Sequence, residues 1–173
     1  SGTCLMVDPG DEAPRLLDKL RERGLSVVTE VLEFRPIAAE GSVATHLQVA
    51  PGEQVVKLCR LRYAGGNFDK GPIVLTTSYF PNDVGKIMMR YDMEKNSVRH
   101  LCQMNGIIRA RTQKRLTAVQ LPARERRLLG AQDNDLFISI TSEIRDINAR
   151  CVEYVESYYP VDRNEFTIST LSH

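Results

Sequence analysis

Paired cysteines are the first thing the chain lacks. Its four cysteines, Cys4, Cys59, Cys102 and Cys151, are scattered and form no CxxC pair. Three of them sit inside apolar patterns, where a free thiol behaves as a small hydrophobe. That argues against a disulfide scaffold and for a reducing, cytoplasmic setting. No apolar run approaches the roughly 18 to 20 residues of a membrane span, and no signal-peptide pattern opens the sequence, so no membrane partner is expected. An excess of one charge is missing too. With 23 Lys and Arg against 22 Asp and Glu the formal net charge is +1, and no global field recruits nucleic acid or anionic lipid. Any charge-driven function is therefore local. His46, His100 and His173 are far apart and outside HExxH-like spacing. Neither a GxSxG elbow nor a Walker loop occurs, so the common metal and nucleophile chemistries drop out and no cofactor is called for. Repeats and low-complexity tracts are absent as well.

What is present suits one domain, since 173 residues can bury a core without staples. The chain opens Ser-Gly-Thr rather than Met, and is read as a piece of a longer protein. DEAPRLLDKLRERG carries helix punctuation, with Asp11 as N-cap, Pro14 in the first turn and Gly24 as the stop. GLSVVTEVLEFRPI reads as a strand, and GSVATHLQVAPGEQ as a short helix opened by Ser42 and ended before the Pro51-Gly52 turn. QVVKLCRLRYA and IVLTTSYFP form a hairpin candidate across a glycine-bearing loop. NSVRHLCQMNG is a helix with Ser97 at its N-cap and Gly106 past its end. IIRARTQKRLTAVQL alternates as a strand, with Arg109, Arg111, Gln113 and Arg115 on one face, read as a solvated face. A short helix, PARERRLLG, follows, and LFISITSEIRD and ARCVEYVESYYPVD close the chain as two strands turning near Ile147-Asn148. The hairpins predict an α+β fold, an antiparallel sheet flanked by helices, with the helices expected on one side.

Within that frame KLCRLRYAGG stands out. Residues two apart on a strand share a face, so Arg60 and Arg62 point together, beside Val56 and Leu58. Like charges side by side cost energy unless an anion lies between them, so that face is either solvent or a site. On the last strand Glu153, Ser157 and Tyr159 share a face with Cys151 and Val155. A carboxylate on a largely apolar face is expensive unless paired or bound. Glu153 either neutralises an arginine or serves a ligand.

The runs EQVVKLCRLRYAGG, GPIVLTTSYFP, NSVRHL and CVEYVESYYPVDRNEF together resemble the effector-binding UTRA domain of HutC-type regulators in the GntR family, which has a chorismate lyase-like fold. The resemblance extends from about Arg15 to Phe166, and its most specific part is the closing VEY-to-DR-to-F run. It implies an antiparallel sheet with flanking helices, a homodimer, and a small-molecule site at the sheet. It also implies contact with operator DNA only through an N-terminal winged-helix domain absent from this chain. On that basis residues 1–11 are expected to be a flexible linker remnant and residues 12–170 the ligand-binding domain. Carried over residue by residue, the ligand contacts fall on Arg60, Arg62, Ser97, Glu153 and Tyr159. The expected effector site also takes in Thr76 and Arg15, where the chain departs from the family's sugar-phosphate-responsive members. Thr76 stands where they have a glutamate, and Arg15 with Leu16 where they have a Ser/Thr-Phe pair. The loop from Gly65 to Gly71 also looks longer. The expected function is thus to sense a small organic anion, such as a sugar phosphate or carboxylate, without catalysis. A chorismate lyase-like enzyme acting on a dicarboxylate, and a domain that only dimerises, are the rivals.

Overall fold

A computed structural model describes residues 5–7, 27–65 and 68–166. The helix expected between Asp11 and Gly24, and with it Arg15, lies outside the described residues. Strand β1 (Leu5–Val7) is followed by β2 (Val27–Ala38), α1 (Gly41–Leu47), β3 (Gln54–Ala64) and β4 (Val74–Pro81). Then come α2 (Asn82–Met88), α3 (Val98–Met104), β5 (Arg109–Val119), α4 (Ala123–Leu128), β6 (Phe137–Asp146), β7 (Cys151–Pro160) and β8 (Asn164–Phe166). Six strands form one antiparallel sheet in the order β2-β3-β4-β7-β6-β5, and β1 pairs with β8 in parallel as a separate two-stranded ribbon.

The helices lie on both faces of the sheet, not on one as the sequence pattern led us to expect. α2 and α3 send Val84, Met88, Val98, Leu101 and Cys102 onto the face carrying Val56, Leu58, Phe80 and Ile144. On the opposite face α1 packs Ala44 and Leu47 against Val55 and Tyr154. The residues bounding α4, Leu121 and Leu129, meet Cys59, Leu61, Leu75 and Phe137 there. The reason is legible in β3 itself. QVVKLCRLRYA is apolar at both parities over much of its length, which is the pattern of a strand covered twice.

Helix α2 was not read from the sequence. Its signals are Asn82 and Asp83 just after Pro81, and Val84, Ile87 and Met88 at helical spacing, but only seven residues carry them. Gly85 sets how near α2 lies to β3, because a Cβ there would overlap the Val56 side chain. Helix α1 starts one residue ahead of Ser42, at Gly41 in the left-handed region (φ 50°), with Glu40 in the N-cap position.

Three strands carry register shifts: β2 between Val31 and Glu33, β5 between Arg109 and Arg111, and β7 opposite the Ile144/Arg145 step. A bulge inserts one residue and sends the side chains beyond it to the other face. In β7 the inserted residue is Val152, so Cys151 packs with Val55 and Tyr154 instead of sharing the face of Glu153. The strand from Glu153 to Tyr159 keeps the expected alternation.

Candidate functional site: a polar band between two apolar clusters

One sheet face is divided into three zones along the strands. At the α2/α3 end lies the apolar cluster of Val56, Leu58, Phe80 and Ile144. At the other end Val74, Ile140 and Tyr159 pack with Ile73. Between them, register places Arg60 opposite Thr76 and Thr76 opposite Ser157, while Ser78 stands opposite both Leu58 and Val155. Arg62 and Glu153 complete the band. Arg60, Arg62 and Glu153 are 5%, 2% and 4% exposed, so the solvent alternative for the arginine face is removed. What remains is a charged band in a nearly dry place.

The partners within the band are specific. Arg62 Nη1 donates to Thr76 Oγ1 at 3.3 Å, and Ser157 Oγ donates to the same oxygen at 3.3 Å. Thr76, an expected effector contact at which the chain departs from the family pattern, thus links the arginine strand to β7. Ser78 Oγ donates to Glu153 Oε1 at 2.7 Å, and Arg109 Nη2 pairs with Glu153 Oε2 at 3.0 Å. Glu153 is therefore held by Arg109 and Ser78. Nε of Arg60 and Nε of Arg62 are buried without a hydrogen-bond partner, an expensive condition for a charged donor.

Arg109 is the residue that sequence reasoning misplaced. Strict alternation puts it with Arg111 and Arg115 on a solvated face, but the bulge at Ala110 aligns Arg109 with Asp146 and Arg111 with Arg145. The extra residue turns Arg109 over to the face of Glu153, where its side chain is 12% exposed. No signal in the alternation marks such an insertion.

Burial and the neighbouring Arg62 push the Arg60 guanidinium down to about 9, with Glu153 acting in the opposite direction. It stays charged at neutral pH. Burial lowers Arg62 as well, and nearby Tyr159 and Glu153 oppose the shift. The Tyr159 phenol is raised by burial, against the pull of Arg62. Among the described residues the band holds three guanidiniums, those of Arg60, Arg62 and Arg109, and one carboxylate, that of Glu153. A buried excess of positive charge is what an anion would relieve.

Of the remaining expected residues, Ser97 is the N-cap of α3, its Oγ accepting from His100 N at 3.1 Å. Among the described hydrogen bonds none joins it to Arg60 or Arg62. The closing DR-to-F run has a structural share. Arg163 Nη1 donates to the carbonyls of Pro72 (2.7 Å) and Leu129 (2.9 Å), and Asn164 Nδ2 to those of Ile73 (2.9 Å) and Pro160 (2.8 Å). Phe166 meets the Tyr159 ring edge-on at 5.1 Å. A separate open cleft of about 640 Å³ lies near the β6–β7 turn, lined in part by Gln48, Glu53, Asp83 and Arg150. There Asp83 and Arg150 are a bidentate pair and neutralise each other. Among the described residues no group of His, Cys, Asp and Glu is placed to hold a metal ion, and no helix is long and apolar enough to cross a membrane.

The chain is similar to known proteins in sequence and in fold. The chain is 26% identical over 145 residues to an uncharacterised HTH-type transcriptional regulator of Rhizobium meliloti (strain 1021), matching 82% of this chain and 57% of that protein. It thus spans little more than half the length of that relative. In fold it is similar to the effector domain of PhnF from Mycobacterium smegmatis (TM-score 0.80, 22% identity, 90% of this chain and 93% of that one). It is also similar to the C-terminal domain of the histidine utilization repressor from Pseudomonas syringae pv. tomato (TM-score 0.74, 14% identity, 84% and 99%). The UTRA domain model matches residues 22–165, a span that contains the whole polar band, and the chain belongs to the UTRA domain family.

Proposed function

We propose that this chain, from about residue 12 to residue 170, is the effector-sensing domain of a homodimeric cytoplasmic transcription regulator. A small organic anion, a sugar phosphate or carboxylate, binds at Arg60 and Arg62. The observation that carries this reading is the buried arginine pair, whose only described carboxylate neighbour, Glu153, is already engaged by Arg109 and Ser78. Charge-assisted hydrogen bonds from the pair would hold the anion, Thr76 and Ser157 would fix its position, and Tyr159 would offer a hydroxyl at the β8 side. Ser97 and Arg15 are retained as further effector contacts, as the family resemblance implies. Regulation would follow from linkage. The anion favours one arrangement of two protomers, and the difference in its affinity for the two arrangements alters operator binding by a winged-helix domain outside this chain.

The test is calorimetric titration with inorganic phosphate, glucose 6-phosphate and succinate, using the native chain and Arg60→Met. At least one of these anions should bind, and the substitution should weaken it by about 1.5–3 kcal/mol, the range for a hydrogen bond to a charged group. Unchanged affinity in the variant would sink the assignment. Sedimentation should give a dimer, and chorismate should be returned unchanged. Formation of 4-hydroxybenzoate would put an enzyme in place of the sensor.

A further inference from the structure

We infer that Arg109 sets ligand choice at this site. By engaging Glu153, it withdraws the one buried carboxylate among the described residues that would receive an ammonium group, and so directs the site to anions that carry no amine. The inference rests on the anion-sensing function proposed above and adds to it a residue and a rule of exclusion.

The argument starts from the strand. The bulge at Ala110 turns Arg109 onto the face of Glu153, although β6 lies between β5 and β7. The guanidinium reaches across that strand to place Nη2 3.0 Å from Glu153 Oε2, while Ser78 donates to Oε1 at 2.7 Å. Both carboxylate oxygens are thereby in use, and both partner side chains and the carboxylate are largely dry. A ligand ammonium approaching Glu153 would enter a field summed over Arg60, Arg62 and Arg109, with one carboxylate among the described residues to set against three guanidiniums. Like charges in a poorly solvated space repel strongly. An anion gains from the same field. With Arg109 neutral, Glu153 would keep its hydrogen bond to Ser78 and have an oxygen open towards the ligand, and an ammonium would find an acceptor there. Arg109 is therefore a positioning residue that acts through Glu153.

The experiment compares glucose 6-phosphate with glucosamine 6-phosphate, which differ in one amine, by calorimetry at pH 7. The native chain should prefer the amine-free sugar by about tenfold or more. Arg109→Met should shrink or reverse that ratio, and Arg109→Gln, which keeps a hydrogen bond but no charge, should do so to a smaller extent and secures the test if the first variant does not fold. Arg109→Met combined with Glu153→Gln should restore the native preference, because no carboxylate is left for the ammonium. A purely structural role would lower both affinities together and leave the ratio alone. A folded Arg109→Met or Arg109→Gln chain with the native ratio overturns the inference while leaving anion sensing in place. Failure of the native chain to bind either sugar phosphate overturns it together with the sugar-phosphate form of the sensing function.

Discussion

The two faces of the central sheet handle charge in opposite ways. On the face covered by α1 and α4 the strand carboxylates Glu33, Glu143 and Glu156 have local partners and some access to water. Glu33 lies between Lys57 at 2.6 Å and Arg35 at 2.7 Å, and Glu143 between His46 at 2.6 Å and Arg145 at 2.8 Å. Tyr154 OH donates to Glu156 at 3.0 Å, and the Tyr154 ring stacks between His46 and Tyr79. On the other face, among the described residues, three guanidiniums stand near one carboxylate that is paired with Arg109, and the most exposed of these side chains, that of Arg109, is at 12%. The first arrangement is complete in itself. The second has no further carboxylate among the described residues to set against its positive charge, and this imbalance, more than the number of charged residues, separates the two faces.

The strongest way to break that contrast is to remove its single anion. Glu153→Gln should destabilise the chain by about 3–5 kcal/mol, because largely buried Arg109 loses its ion-pair partner and Arg60 and Arg62 lose a nearby negative charge. Urea unfolding with an unchanged m-value is the measurement, and a loss below 1 kcal/mol would mean that the band is wetter than the structure has it. Next in size, Arg60→Met should leave the ligand-free chain as stable as before or more stable by about 1–4 kcal/mol, since a buried charge is exchanged for an apolar side chain of similar length. A thermal melt of the ligand-free variant that falls well below native would show that Arg60 serves the fold. The smallest effect belongs to the other face. Glu143→Gln should cost no more than about 1 kcal/mol, given its half-exposed partners.

That last substitution also sharpens the contrast through pH. The hydrogen bond from His46, then Arg145, holds the Glu143 carboxyl below its ordinary value, and Lys57 does the same for Glu33. A depressed carboxyl contributes stability above its unfolded value, near 4.3, and loses it as pH falls through the lower folded value. Glu143→Gln should therefore lose its small contribution in full at neutral pH, converge with the native chain in acid, and so flatten the decline in stability below about pH 4.

How much of this was legible in the sequence depended on strand regularity. QVVKLCRLRYA was bounded at both ends by a turn and a glycine loop, and its observed limits, Gln54 to Ala64, coincide with the reading. Alternation then sufficed to bring Arg60 and Arg62 onto one face, and Glu153 and Tyr159 onto another that register joins to it through Thr76. Alternation failed wherever a residue was inserted. Ala110 and Val152 look like any other strand residues, yet they decide where Arg109 and Cys151 point. The partner of Glu153 was hidden for that reason, and the obvious candidates, Arg60 and Arg62, turned out to be the cations it leaves unsatisfied.

The small β1–β8 ribbon has a mechanical consequence. Leu5, Met6 and Val7 run in parallel register with Asn164, Glu165 and Phe166, and Phe166 rests against Tyr159 beside Arg62. Strand β8 thus works as a strap, buckled at one end to the carbonyls of Ile73 and Pro160 through Asn164 and at the other to the Tyr159 ring through Phe166. Any chain joined ahead of Leu5 is tied to that strap by backbone hydrogen bonds, which transmit displacement with little slack. A shift of Tyr159 would pull on the leading segment directly, without having to travel through the apolar clusters of the sheet.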